Sequence, residues 1–314
     1  MNSTLFITSV TFINNSLTTI VESWFIPLNI LSIICTIFVI GFATFFLFIL
    51  VFDKTCHTVP MMLVANSCLA ELLLAINGLW IAVFTLQNDF KQIQYHDSFC
   101  VFRGYISFSS YALQNCSYLL QSIYRYVIVV YPNRLFWQTA RTQLFFIVFS
   151  WIFAFVYPIV FLFTNEIIYN VDNQICQVSL RLSFSVIYTA QCLYIIPVLS
   201  IIFVYFLLIR YVKGMNKRVI PVNTLFRAQR ELKMVRRIVI LVMILFIAGF
   251  PYALFVFISL FTSPPKYHFR IAYAFINLLL PFAMISLFQF TDTLKASVKK
   301  ILNYRPNTII PALT

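Results

Sequence analysis

CVFRGYISFSSYALQNCSYLLQSIYRYVIVVYP, residues 100–132, is the stretch on which the fold turns. It is mostly apolar, yet it carries Gln114, Asn115, Gln121 and Arg125, so hydropathy alone marks it weakly. Read as a helix over 97–131, it exceeds the ~20 residues needed to cross a hydrocarbon core. Outward from it lie six plainer apolar stretches, at roughly 25–52, 58–86, 141–163, 183–211, 232–262 and 268–290. Together they predict an all-α membrane protein, a bundle of seven transmembrane helices. The composition agrees: 61% of residues are hydrophobic and 10% charged, where soluble domains carry about a quarter charged. With 36 Phe and 5 Gly, the helices are expected to face lipid with few breaks. No alternation of apolar and polar residues suggests a β-barrel.

A formal charge of +13 invites a nucleic-acid reading. The placement of the cations argues against it. Lys91, Arg103, Arg181, Lys266 and Arg270 fall on one side of the predicted spans, and the rest of the 22 on the other. Most of that majority lies between Arg210 and Arg237 and in the tail from Lys295 to Arg305. Such asymmetry is the positive-inside bias of a multispanning protein. It predicts an extracellular N-terminal segment, 1–24, a spanning domain, 25–290, and a cytoplasmic amphipathic helix and tail, 291–314. No cleavable signal peptide is visible, so the first span would insert the chain. Asn2 and Asn14 match the glycosylation acceptor on the expected outside. Over 293–303, Leu294, Val298, Ile301 and Leu302 share one helical face, with lysines on the others. That segment is expected to lie along the inner surface, against anionic lipid.

Cys100 and Cys176 are the two cysteines on the outer side; the other five fall within spans or an inner loop. An oxidising exterior would join those two, pinning the second outer loop to the third helix.

Third-span Tyr124-Arg125-Tyr126 follows Cys100 at a telling interval, and Pro132 stands seven residues beyond Arg125. Trp151, Pro197, Tyr205, Pro251 and Pro281 mark the later spans. This combination resembles the Asp-Arg-Tyr signature and span markers of rhodopsin-like, class A G-protein-coupled receptors. It covers residues 25–303 and includes the neuropeptide-receptor type. Departures point to a divergent branch: Tyr124 replaces the acid before the arginine, Gly249 a tryptophan, Met284 a tyrosine and Leu280 an asparagine, and no first-helix asparagine stands near Ala43.

Arg125 at the inner edge of an apolar helix must snorkel to headgroups or find an acceptor. The resemblance implies Glu231 as its resting partner, a latch that breaks when the sixth helix swings out. Arg227, Arg230 and Lys233 offer Glu231 local alternatives. Pro197, Pro251 and Pro281 each remove a backbone hydrogen bond and permit a bend. In the family such a bend at Pro251 is a pivot, and Tyr205 turns towards the arginine. Glu71 is the one acid deep within the predicted spans, facing candidates Gln114 and Asn277. A carboxyl there is either neutral and hydrogen-bonded or paired with a cation. The family's aspartate at this place helps hold sodium, but Leu280 removes one expected ligand.

Ser107 stands where amine receptors carry an aspartate, and the seventh span has no lysine for a retinal Schiff base. Arg103, Ser107, Tyr111, Tyr188, Gln191, Tyr252, Phe255 and Tyr273 are candidates to line an outer cavity with polar tips suited to a peptide. Aromatic residues at such depths also serve as packing or interfacial anchors. The acids Asp89, Asp97, Glu166 and Asp172 would attract a basic ligand. Inside, the basic stretches beside Arg125 would meet a heterotrimeric G protein. The implied function is a plasma-membrane receptor that needs no cofactor or metal. A seven-span transporter or channel is the alternative; it predicts glycine-rich breaks or internal symmetry, and neither is visible. An enzyme would need clustered His or acids, whereas His57, His96 and His268 lie in separate loops.

Overall fold

A computed structural model describes residues 25–91, 98–180, 183–216 and 222–302 of the chain, and the backbone alone at 216, 222–228, 230, 231, 234, 290, 292, 293, 301 and 302. The first two spans are α1 (Phe25–Phe52) and α2 (Val59–Lys91). A 3-10 turn, Lys54–Cys56, joins them, and Asp53 caps it by accepting from the Thr55 amide at 3.0 Å. The third is α3 (Cys100–Val130). The fourth is divided into α4 (Ala140–Val156) and α5 (Ile159–Phe163), with Pro158 at the break. There the Tyr105 hydroxyl donates to the Phe155 carbonyl at 2.5 Å, supplying a donor to the interrupted ladder. An antiparallel hairpin follows, β1 (Ile167–Asn170) and β2 (Ile175–Val178), with Ile167 opposite Val178.

The fifth span is α6 (Phe184–Ala190), a π turn over Gln191–Ile195, and α7 (Ile196–Asn216). Pro197 has no N–H for the Leu193 carbonyl four residues earlier. That carbonyl instead accepts from the Asn115 side-chain amide of α3 at 2.8 Å. The sixth span, α8 (Val222–Ser259), runs through Pro251, and the seventh, α9 (His268–Phe290), through Pro281. The last helix is α10 (Asp292–Leu302).

Six of the spans are long and apolar enough to cross a membrane by composition; α3 is the exception. The reason lies in its position, because α3 packs against α2, α4, α7 and α8. Ser107, Ser110, Gln114, Asn115, Ser117, Gln121 and Ser122 are buried in those contacts, away from lipid. The outer spans do the reverse: Phe48, Phe145 and Phe203 are more than half exposed, which suits hydrocarbon.

The two largest of the apolar clusters fill much of the bundle. One joins Val39, Phe46, Tyr118, Leu241, Leu280 and Met284. The other lies beneath the hairpin and joins Cys100, Phe108, Tyr157, Phe161 and Cys176. Helix ends differ from the sequence expectation: α2 continues to Lys91 and α8 begins at Val222. Hydropathy marks only the part of a helix that lies in hydrocarbon, and polar turns extend it without that signal. At the other end, α10 places Leu294 in the core of the bundle with Val298 packed against it. Its Ser297 hydroxyl lies 3.4 Å from both Thr55 Oγ1 and Cys56 Sγ. Ser297 and Thr55 hydrogen bonds hold the Asp53 carboxyl low, at about 2.

Candidate functional site

At the hairpin end, the Cys100–Cys176 disulfide ties β2 to the first turn of α3, with the Cα atoms 5.4 Å apart. One turn along, Gly104 lets the hairpin settle on the helix. A Cβ there would stand 2.7 Å from the Cys176 carbonyl oxygen and 2.8 Å from Ile167 Cγ2. Asp89 and Arg270 form a buried ion pair at 2.6 Å. Asn29 Nδ2 donates to the other Asp89 oxygen at 3.0 Å, and Arg270 Nε donates to the Asn173 carbonyl at 3.2 Å. Asn173 Oδ1 accepts from the Phe269 and Arg270 amides, capping the start of α9. One polar knot therefore joins α1, α2, α9 and the hairpin turn. Asp89 is thereby withdrawn from ligand attraction: it is helical and neutralised, not an exposed loop acid. Asp97, and Asn2 and Asn14 with the whole 1–24 segment, lie outside the described residues.

Beneath and beside the hairpin are two spaces. An outer vestibule of about 500 Å³ lies between the hairpin and the ends of α8 and α9; Asn170, Gln177, Ser179, Ser259 and His268 are among its walls. A small inner cavity of about 20 Å³ is lined by Tyr111, Gln177, Leu193, Tyr194, Tyr252 and Tyr273, among others. Gln177 borders both, and its amide donates to the Tyr273 hydroxyl. Ser107 lies close by, accepting from Asn77 Nδ2 at 2.7 Å and donating to the Arg103 carbonyl at 3.0 Å. Arg103 is buried, with its guanidinium over the Phe84 ring at 4.0 Å and the Trp80 ring at 5.3 Å. Phe255 packs with Phe269 and Tyr273 behind the wall.

Of the eight sequence candidates, Tyr111, Tyr252 and Tyr273 line this cavity; Arg103, Ser107 and Phe255 stand outside its lining, and Tyr188 and Gln191 lie farther off. Tyr188 stacks on Phe184 and leans on Tyr157 and Phe161, between the fourth and fifth spans. Gln191 opens the π turn and is exposed. The extra residue of a π turn shifts the helical register, so spacing that assumes an unbroken α-helix misassigns the inward face. Leu193 and Tyr194, on the π turn, escaped the spacing for the same reason; Gln177 lies on β2, where no helical register applies, and its one usable signal is its place next to Cys176.

In mid-bundle, Glu71 is fully buried and accepts a hydrogen bond from the Tyr118 hydroxyl. The second Glu71 oxygen and Gln114 Nε2 have no hydrogen-bond partner among the described residues. Asn277 lies elsewhere: a Cβ at Gly78, two turns along α2, would stand 2.6 Å from its Oδ1. The Ser67 and Ser117 hydroxyls bond each other at 2.9 Å, and Gln121 donates to Ser67 at 2.6 Å. Leu280 and Met284 pack with Tyr118 and bring no oxygen. A hard cation needs several oxygen ligands, and these two positions supply none from their side chains.

At the far end of α3, Tyr124 is buried with Leu63 and Ile128, packed from α2 and α4. Arg125 is half-buried. Tyr126 and Tyr205 join Val129, Leu208, Val212 and Val235 in one layer across α3, α7 and α8. The side chain of Glu231 lies outside the described residues. Pro132 is exposed, its carbonyl accepting from Gln138 Nε2 at 3.1 Å. The adjoining 3-10 turn displays Leu135 and Phe136, 70% and 69% exposed.

The family model of the 7 transmembrane receptor (rhodopsin family) matches residues 43–288, most of the chain. The chain belongs to the rhodopsin family of seven-transmembrane receptors. Among solved structures, the receptor is similar to squid rhodopsin, at 16% identity and a TM-score of 0.74, over 90% of this chain and 87% of that one. No curated protein matches its sequence. The receptor is thus a multi-pass membrane protein and not an enzyme, and the transporter or channel reading is set aside. Two departures from the family pattern are filled by packing, Met284 and Leu280 being buried apolar core, whereas Gly249 leaves the Tyr194 ring without an opposing side chain.

Proposed function

We propose that the receptor resides in the plasma membrane with its N-terminus outside, binds an extracellular peptide at the hairpin end, and activates a heterotrimeric G protein at the Arg125 end. The observation that carries this reading is the division of labour between the two ends of α3. One end is pinned under a hairpin beside a polar-rimmed vestibule. The other presents a half-buried arginine beside an exposed apolar turn, Leu135–Gln138. Large apolar side chains left in water mark a docking surface.

A peptide is favoured because the vestibule mixes amide, hydroxyl and imidazole groups with apolar walls, and the inner cavity is too small for a whole ligand. A side chain that displaced Gln177 from Tyr273 would reach the tyrosine cluster between α3, α8 and α9. The signal would then pass as outward movement of the inner part of α8, pivoting at Pro251 and freeing Arg125 from Glu231. Pro281 supplies a second bend, in α9. Anionic lipid would hold α10, and glycans would sit at Asn2 and Asn14.

The test is a panel of G-protein dissociation sensors with peptide libraries. Arg125→Ala is expected to abolish the response at equal surface expression. Glu231→Ala is expected to raise basal signal several-fold, since a latch worth about 1 kcal/mol shifts a two-state equilibrium about fivefold. Silence of the unmodified receptor across the panel overturns coupling; an unchanged basal signal in Glu231→Ala overturns the latch.

A further inference from the structure

The fifth and sixth spans part around a cleft that the ligand path above does not use. It measures about 260 Å³, and Thr189, Tyr194, Phe246, Gly249, Tyr252 and Ala253 form most of its outline. Two local features open it. The π turn over Gln191–Ile195 carries Tyr194, and Gly249 opposite contributes no side chain, so the Tyr194 hydroxyl lies 3.3 Å from where a Cβ would stand. The rim residues Ile195 and Phe246 are 41% and 48% exposed, and both belong to membrane-spanning helices. The mouth therefore opens into hydrocarbon, and whatever enters comes from the bilayer.

The chemistry narrows the entrant. No charged residue lines the cleft among the described residues, so a carboxylate or phosphate headgroup would enter without a counter-charge, at high cost in such surroundings. One polar demand is unmet. Thr189 is 4% exposed, and its hydroxyl has no hydrogen-bond partner among the described residues. Other helical threonines satisfy themselves locally: Thr36 donates to the Ser32 carbonyl and Thr85 to the Ile81 carbonyl. Thr189 borders both the cleft and the inner cavity, as do Tyr194 and Tyr252. From Phe246 to Val256 the cleft runs about 15 Å along α8, at 1.5 Å per residue.

We propose that this cleft is a lateral binding site for a neutral membrane lipid of the sterol class. The rigid apolar body lies against Gly249 and Ala253, and the single hydroxyl meets Thr189. Because Tyr194 and Tyr252 form a wall common to the cleft and the inner cavity, the bound sterol presses on the same tyrosines that a ligand at the hairpin end would reach.

The experiment is photolabelling of the full-length receptor in membranes with a photoactivatable, clickable cholesterol analogue, followed by mapping of the labelled peptides. Labelling is expected on residues 186–195 and 246–256, displaced by excess cholesterol. Ala253→Phe plugs the mouth from the exposed side without entering the core, and Gly249→Leu fills the interior. Each should lower labelling there by about tenfold, the effect of losing ~1.4 kcal/mol. Thr189→Val keeps the shape and should weaken competition by about fivefold, the worth of one hydrogen bond. Thermal unfolding of each variant reports that the bundle is intact. Uniform labelling around all exposed spans, labelling that survives both filling variants, or preferential capture of a photoactivatable fatty acid overturns the proposal. A receptor that is silent toward every G protein yet labelled as described would leave this site standing and remove only the coupling reading.

Discussion

Asp89 and Arg270 stand 181 residues apart in sequence and 2.6 Å apart in the fold. Both are buried, so neither can be removed alone without stranding the other charge. Asp89→Ala is expected to cost about 3–5 kcal/mol, read as a lower thermal unfolding temperature in detergent or nanodiscs. The double change Asp89→Leu with Arg270→Met should recover most of that loss, because it leaves no unpaired charge. A double variant as unstable as the single one would mean that packing in the knot, not the charge, holds α1, α2 and α9 together. Tyr118 makes the same point in mid-bundle: its hydroxyl serves Glu71, and nothing in the spacing of the third span singled it out.

At the scale of elements, the fifth span depends on a neighbour. Pro197 leaves the Leu193 carbonyl without its helical donor, and Asn115 supplies one from α3. Asn115→Leu should destabilise the receptor by about 1–3 kcal/mol, the cost of an orphaned buried acceptor, and hydrogen exchange should rise around Gln191–Ile195. Protection equal to that of the unmodified chain would mean the π turn stands without its brace. The α1–α2 turn offers a pH test. The Asp53 carboxyl is lowered to about 2, so whatever it contributes to seating α10 is complete above the ordinary value of about 3.9 and fades only as pH falls through about 2. Exchange protection of α10, corrected for intrinsic rate, should therefore match at pH 5 and pH 8. A loss at pH 5 would assign the docking to another group.

For the whole molecule, the decisive contact is the one between the hairpin and α9. Gln177 closes the inner cavity by donating to Tyr273, while the disulfide and Gly104 hold β2 over α3. Gln177→Leu removes the tie without touching either anchor. A cysteine placed at Ile276, which lines the inner cavity, should then react with a water-soluble thiol reagent several-fold faster, since one hydrogen bond of about 1 kcal/mol is worth about fivefold. An unchanged rate would show that the aromatic walls, not Gln177, close the cavity.

Seven spans, the Cys100–Cys176 bond and the rhodopsin family were legible in the chain itself, because length, apolarity and a few fixed spacings survive without knowledge of neighbours. Even the weak third span was readable, once Arg125 and Pro132 were counted from Cys100. Which polar groups meet was not. Pairing across helices depends on the rotation and depth of each helix, and a single π turn before Pro197 shifts the register, leaving Gln191 exposed. Tertiary packing alone decided that Asp89 answers Arg270, that Tyr118 rather than Asn277 answers Glu71, and that Gly249 opens a cleft towards lipid.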